Sequence, residues 1–270
     1  MKFEHTEVMN FEGAFRGMRN PMNSWAKSDS SFGIACEHED DDTPVEIAYA
    51  WVDYELSENE DEVDDETRER LYEEKLEWLY LNGYRFMTQD HHYAANYIGP
   101  NDMKLARKLI AGGGEHRKFL RQIFVSVDIT APLYWWKEFD TYKVGTTANS
   151  TSTMHKLAST PITLDCFETD DFDDNFELSE HYHFTDFINS ELIFALETLR
   201  QKYNETKDKR YWKELIRWLP ESWLQTRTIT MNYENLRNMY HQREHHKLTE
   251  WHSFCHWVEG LPYAKELIID

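Results

Sequence analysis

Residues 129–157, ITAPLYWWKEFDTYKVGTTANSTSTMHKL, decide how the chain is read. An aromatic, helix-like run passes directly into small hydroxyl residues that end at His155 and Lys156. Small hydroxyl and amide side chains let backbone N–H groups approach an anion, and a flanking Lys supplies charge. Just upstream, Phe124–Ile129 alternates apolar and polar residues and predicts a strand. Pro132 suits the first turn of a helix running to about Tyr142.

Outward from this segment the pattern is mostly helical. Residues 14–25 predict a short helix stopped before Pro21. Glu66–Asn82 carries Leu71, Leu76, Leu79 and Tyr80 at helical spacing, with Gly83 as a fitting C-cap. Asp102–Ile110 predicts a helix capped by Asn101 or Asp102 and ended by Gly112, Gly113 and Gly114. Thr185–Tyr203 and Asp208–Leu219 predict two more, the latter capped by Asp208 and stopped by Pro220. Arg227–Met231 fits a short strand, and Asn232–His246 with Leu248–Val258 a helical pair. The expected class is α+β, a single domain over 1–270 with a small mixed or antiparallel sheet covered by helices.

Composition narrows the function. The chain has 270 residues, 40% apolar content, 15% aromatics and a net charge of −21. That charge disfavours wrapping DNA or RNA, yet a mononucleotide needs only a local cationic pocket. Much of the excess sits in residues 37–67, around Asp40–Asp42 and Glu58–Glu62. Such a block hydrates and repels itself, so a solvated loop or helix start is expected rather than a cation site. No apolar run is long enough to span a membrane, and the N-terminus MKFEHTE lacks an apolar signal stretch. Cys36, Cys166 and Cys255 are odd in number and far apart, as fits reduced thiols. The expected location is the cytoplasm of a bacterial or phage-infected cell.

Several features have plain alternatives. The triple glycine lets backbone approach a phosphate, but no phosphate-loop Lys follows, so a helix stop is expected. His241 and His245, like His252 and His256, stand four apart, yet no third ligand is evident and no metal site is expected. Cys255 lies in an apolar helical stretch and reads as a buried structural thiol, so no catalytic nucleophile is assigned. Arg243 and Lys247 share a helix face at i,i+4, with Arg237 off it.

Three blocks, in order, resemble the flavin-dependent thymidylate synthases. Glu115-His116-Arg117 resembles that family's Gly-His-Glu turn, and Ala131-Pro132 opens the aromatic helix after the strand. Thr141-Tyr142-Lys143 stands where the family carries Arg-His-Arg, and Thr146 to Met154 forms the hydroxyl-rich loop. Farther on, Arg217-Trp218-Leu219-Pro220, Thr230-Met231-Asn232, Asn238 and Arg243 follow the family's later pattern. Residues 14–25 resemble its N-terminal Arg/Asn/Ser segment, and the acidic stretch at about 37–67 resembles an insertion.

The resemblance implies a homotetramer binding FAD, in which reduced flavin delivers a hydride while methylenetetrahydrofolate supplies the carbon that becomes the methyl group of dUMP or a related deoxyuridine nucleotide. NADPH would be the reductant. It implies FAD contacts from His116, Tyr142, Lys143, Thr146, Asn232, Asn238 and Lys247. It implies nucleotide contacts from Lys137, Glu138, Thr151, Ser152, Thr153, Arg217 and Arg243, with no polymeric nucleic acid and no membrane as partner. Five positions differ in charge from the family pattern. Thr141 and Tyr142 replace Arg and His, Thr153 and Glu234 each replace Arg, Glu138 replaces Gln, and Lys143 keeps charge without the planar fork. Each charged hydrogen bond lost is worth about 1.5–3 kcal/mol. A catalytically inactive nucleotide-binding or assembly protein is therefore the alternative. A further one treats the acidic stretch as a partner-binding arm or nucleic-acid mimic.

Overall fold

A computed structural model describes residues 1–35, 64–81, 84–89, 92–169, 173 and 175–270. The acidic stretch at 37–67 lies almost wholly outside the described residues, as do Cys36 and the C-cap Gly83. The chain is mixed α+β. Strands β1 (Lys2–Met9), β5 (Phe124–Pro132), β9 (Leu224–Asn232) and β6 (Thr147–Ser150) form one sheet in that order. A second sheet has the order β2 (Ser31–Ala35), β4 (His92–Tyr97), β3 (Tyr84–Gln89), with both pairings antiparallel, and β7 (Glu177–Ser179) pairs antiparallel with β8 (Tyr182–His183). Among the described residues no helix is long and apolar enough to cross a membrane.

Two compact units divide the chain. The first comprises Met1–Glu4, Asp128–Lys143 and Ala148–Ile229; the second comprises His5–Val127, Val144–Thr147 and Thr230–Asp270.

In the second unit α1 (Phe11–Arg19) stops before Pro21, as read from sequence, but begins earlier than residue 14. Phe11 and Phe15 point inward, where Phe15 meets Phe119 edge-on at 5.9 Å and Phe11 meets Tyr233 at 5.5 Å. Helix α2 is Asp65–Leu81 and α3 is Pro100–Ala111. Neither Asn101 nor Asp102 caps α3, contrary to expectation. Its first N–H groups are met by Asp29, whose carboxylate accepts from Asn101 N at 2.8 Å and Asp102 N at 3.0 Å. Asp102 turns inward instead, fully buried, and binds Arg19. Gly112 and Gly113 end α3, with Gly113 at φ +91°, the left-handed conformation a helix stop needs.

The first unit is organised by the segment that follows the strand. Val125, Val127, Ile129 and Ala131 are all buried along β5, the period-two pattern the sequence shows. Pro132 is the last strand residue and N-cap of α4 (Leu133–Phe139), not part of the helix, and α4 ends short of Tyr142. The next two N–H groups are already claimed, Leu133 N by Trp223 O at 3.1 Å and Tyr134 N by Glu221 O at 3.1 Å. Trp135, Trp136 and Phe139 form a buried aromatic cluster with Trp rings 4.9 Å apart.

The expected helix at 185–203 is not uniform. An α-turn at Phe184–Asp186 leads into a π-helix at Phe187–Ile193 and then α6 (Phe194–Thr206), with α5 the short helix Thr153–Lys156. Widening the spiral adds a residue per turn, which shifts the inward face, and Leu192 and Ile193 pack on Leu196 and Leu215. Helix α7 (Lys209–Arg217) starts at Asp208 as read, whose carboxylate accepts from Arg210 N at 2.9 Å. Glu197 ties α6 to the chain before it, accepting from Arg200 Nη2 at 2.6 Å and Ile162 N at 2.9 Å. The Arg200 hydrogen bond is the main force holding its pKa at about 2, against an ordinary 4.5. A depressed folded pKa stabilises above the unfolded pKa and is lost as pH falls through the folded one. Glu197→Gln is therefore expected to flatten the decline in stability between about pH 4.5 and pH 2. Denaturant midpoints across that window check this, and an unchanged slope would contradict it.

Candidate functional site

The residues singled out in sequence fall into two groups, one in each unit. Six lie in the second unit: His116, Thr146, Asn232, Asn238, Arg243 and Lys247. Eight lie in the first: Lys137, Glu138, Tyr142, Lys143, Thr151, Ser152, Thr153 and Arg217.

In the second unit the group centres on the start of α8 (Tyr233–Arg243). Asn232 and Asn235 cap it reciprocally: Asn235 N donates to Asn232 Oδ1 at 3.0 Å, and Asn232 N donates to Asn235 Oδ1 at 3.2 Å. This fixes the direction in which the helix leaves β9. Asn235 Nδ2 also donates to Val144 O at 2.7 Å, which brings the 144–147 loop with Thr146 to the helix start. Gly145 makes that approach feasible. Its φ is +79°, and a Cβ there would stand 3.0 Å from Asn235 Oδ1 and 3.1 Å from Asn232 Nδ2.

One turn in, Glu234 is buried, with its carboxylate held by Arg117 Nε at 3.2 Å and by Arg121 Nε. The helix N-terminus favours a carboxylate there, and two guanidiniums neutralise it. Glu234 in turn raises the Arg121 pKa. Arg117 also donates to Asn238 Oδ1 at 3.4 Å. Arg237 lies near enough that burial, then repulsion from Arg117, lowers its pKa. His116 is exposed and packs on Gly112, whose added Cβ would lie 3.1 Å from the ring. Lys247 is exposed, whereas Arg243 stacks over the Trp251 ring at 4.7 Å. Cys255 is buried, and burial pushes its thiol up to about 11, so it stays protonated at neutral pH. His252 Nε2 bonds His246 O at 2.7 Å, and among the described residues no three or more His, Cys, Asp or Glu are grouped to hold a metal.

In the first unit the group lies along α4 and the hydroxyl segment. Lys137 pairs with Glu221 at 2.5 Å, and Arg217 pairs with Glu214. Thr141 closes α4, its Oγ1 donating to Glu138 O at 2.8 Å, and Tyr142 N reaches Phe139 O at 2.9 Å. Thr151 is locked to β9: its N–H donates to Thr226 O at 2.9 Å, and its carbonyl accepts from Gln225 Nε2 at 2.8 Å. The Thr151 N–H is thus already used within the fold, which shifts attention to the hydroxyls. Ser152 Oγ caps the turn Thr153–Lys156 by accepting from His155 N at 3.1 Å.

Sequence reasoning passed over Arg121, Asn235, Gln225, Arg227 and Asp140, and the partners of Glu234. Arg117 and Asp140 lie in quoted segments and Arg227 opens an expected strand, but no local pattern gives any of these residues a site role.

A solved structure of thymidylate synthase X from Helicobacter pylori with FAD and dUMP is similar over 99% of this chain and 97% of its own, at 14% identity and a TM-score of 0.55. This chain has the thymidylate synthase X fold. A second Helicobacter pylori structure, of flavin-dependent thymidylate synthase X complexed with FAD and dUMP, is similar over 63% of this chain and 83% of its own, at 17% identity and a TM-score of 0.46. No protein-family model matches the chain, and no curated protein matches it in sequence. The thymidylate synthase X fold is thus kept at an identity where side chains have been widely exchanged.

Proposed function

We propose that the chain is a flavin-dependent thymidylate synthase-type enzyme that binds FAD and reductively methylates dUMP or a related deoxyuridine nucleotide. Methylenetetrahydrofolate and NADPH would be its co-substrates, and a homotetramer its assembled form. The observation that carries the reading is the fold likeness along nearly the whole chain to a protein solved with FAD and dUMP.

The donor set of the second unit suits a dinucleotide pyrophosphate in sign. Arg117 and Arg121 share one buried carboxylate, Glu234, Arg117 also reaches Asn238, and Glu115 acts on Arg121 from nearby. His116, Thr146, Asn232, Asn238 and Lys247 would hold FAD there. When bound, FAD would supply the hydride. In the first unit Ser152 and Thr153 would present hydroxyls to the nucleotide phosphate, with Lys137, Glu138 and Arg217 alongside. In the second unit Arg243, its guanidinium 4.7 Å over the Trp251 ring, is a further cation nominated for the nucleotide. With Cys255 buried and protonated, the chain's task is orientation and charge placement rather than nucleophilic attack.

A second reading is favoured by Glu234, an acid where the resemblance implies an Arg: an inactive family member that binds nucleotide or serves assembly. The visible spectrum of the purified chain and its thermal shift with FAD and with dUMP test both. Bound oxidised flavin and a rise in midpoint with each ligand are expected. No flavin absorbance and no shift with either ligand would defeat the enzyme reading. A shift with dUMP alone, without rescue of a thymidine-requiring host, would favour the second.

A further inference from the structure

Arg227 is a cation of the first unit held by three side chains, and nothing in the resemblance assigns it a role. Only 14% of its side chain is exposed. Its guanidinium lies over the Trp136 ring, 4.2 Å from the centroid. Nη1 donates to Asp140 Oδ1 at 2.7 Å, and Nε donates to Gln225 Oε1 at 3.0 Å. The two partners lead to different places. Asp140 is the C-cap of α4, between Lys137-Glu138 and Tyr142-Lys143. Gln225 sends its Nε2 to Thr151 O at 2.8 Å, and its own carbonyl accepts from Trp136 Nε1 at 2.9 Å. Thr151 then leads directly into the Ser152 cap and the turn Thr153–Lys156.

One planar side chain therefore joins the end of α4 to the hydroxyl turn. The indole fixes the guanidinium plane, and the two hydrogen bonds fix its rotation within that plane. Gln225 relays the constraint, because holding its Oε1 by Arg227 commits Nε2 to Thr151. A chain of charged and neutral hydrogen bonds of this kind is worth more than its separate links. Both segments joined are those nominated to meet the nucleotide; the hydroxyl turn is otherwise held at its far end, by Trp212 Nε1 on Met154 O at 3.3 Å and by buried Leu157.

We infer that Arg227 is a positioning residue for the nucleotide site: by bridging Asp140 and Gln225 over Trp136, it holds the Thr151–Thr153 turn in the geometry that meets a nucleoside monophosphate. The inference rests on the proposed nucleotide-binding function and names a residue outside the set that touches the ligand. A Lys would keep the charge on Asp140 but would lose the flat fork and the stack. A merely charge-balancing Arg would accordingly be rescued by Lys, whereas a positioning Arg would not.

The test uses the full chain and its R227Q, R227K and D140N variants, with dUMP as probe in calorimetric titration and amide hydrogen exchange over residues 151–156 as a ligand-free readout. R227Q is expected to weaken dUMP binding by about tenfold or more, the equivalent of one charged hydrogen bond, and to speed exchange across 151–156. R227K is expected to stay weakened to a similar degree. D140N, which keeps the stack and the Gln225 bond, is expected to weaken binding by only a few-fold, and it carries the test if R227Q does not fold. Unchanged dUMP affinity in R227Q, full recovery in R227K, or unaltered exchange at 151–156 would overturn the inference. Where R227Q does not fold, unchanged dUMP affinity in D140N would overturn it. If the unaltered chain does not bind dUMP, the proposed function fails and this role with it. If the unaltered chain binds and R227Q binds equally well, the positioning role alone fails.

Discussion

Asp102→Ala is expected to lower the unfolding free energy by about 3–5 kcal/mol, the usual cost of removing one partner from a buried ion pair. Asp102 has no exposed surface and sits inside the second unit. Its Oδ1 accepts from Arg19 Nε at 2.5 Å, and its Oδ2 from Ser28 Oγ at 2.6 Å and Ser30 Oγ at 2.6 Å. Burial alone would raise this carboxyl's pKa, but the hydrogen bonds from Ser28, Ser30 and Arg19 outweigh it and hold the pKa below the ordinary 3.8. Substitution by Ala strands Arg19, whose side chain is 5% exposed, and takes the acceptor from the Ser28 and Ser30 hydroxyls at once. That is why the loss exceeds the worth of any single bond. Arg19→Ala in the same background should add much less than it does alone, because the charge it removes has already lost its partner. Urea denaturation of the single and double variants checks both statements. A loss below about 1 kcal/mol for Asp102→Ala would show that the network contributes no more than a surface pair.

The same residue shows where sequence reading stops. An Asp at a helix start reads as a cap, because acids and amides at that position usually accept from the first N–H groups. Here the cap comes from Asp29, 73 positions earlier, and no local pattern reveals a cap supplied from that far away. Where the determinant was local, it was legible: the buried alternation of β5, Asp208 as a cap, and the helix beginning after Asn232. The π-helix at Phe187–Ile193 was not, since an inserted residue is repaid by tertiary packing and leaves a pattern that still reads as ordinary helix. The candidate site divides in the same way. Its hydroxyl segment and Asn-led helix stand out as composition. Its electrostatics depend on pairs such as Arg117 with Glu234, 117 positions apart, and Arg227 with Asp140, 87 apart. A sequence taken alone shows Glu234 as a charge out of place, and only the fold shows that two arginines have closed around it.

Glu234→Gln is expected to convert that closed cluster into one that welcomes an anion. The amide keeps the shape of the carboxylate and removes its charge, so Arg117 and Arg121 lose their shared counter-ion. Arg121 is half-exposed and rehydrates readily, while Arg117, 23% exposed, rehydrates less well. The cost to stability should therefore fall near the lower end of the range for charged hydrogen bonds, about 1.5–3 kcal/mol. The gain lies in binding. With the internal carboxylate gone, two guanidiniums near the first turn of α8 meet any incoming phosphate without Glu234 competing for them, and the helix N-terminus adds its own preference for negative charge. Under the proposed function, one recovered charged contact corresponds to roughly a ten- to hundredfold tighter FAD affinity. Inorganic pyrophosphate should raise the thermal midpoint of the variant more than that of the unaltered chain, and FAD should do the same. Riboflavin, which has the flavin ring but no phosphate, should not discriminate between the two proteins. Equal pyrophosphate shifts in both would mean that Glu234 does not compete with an anion for these arginines. A selective gain with riboflavin would mean that the substitution acts on the ring and not on the phosphates. The expected pattern, tighter pyrophosphate and FAD with unaltered riboflavin, would identify the buried carboxylate as the group that sets how strongly this fold holds an anionic cofactor.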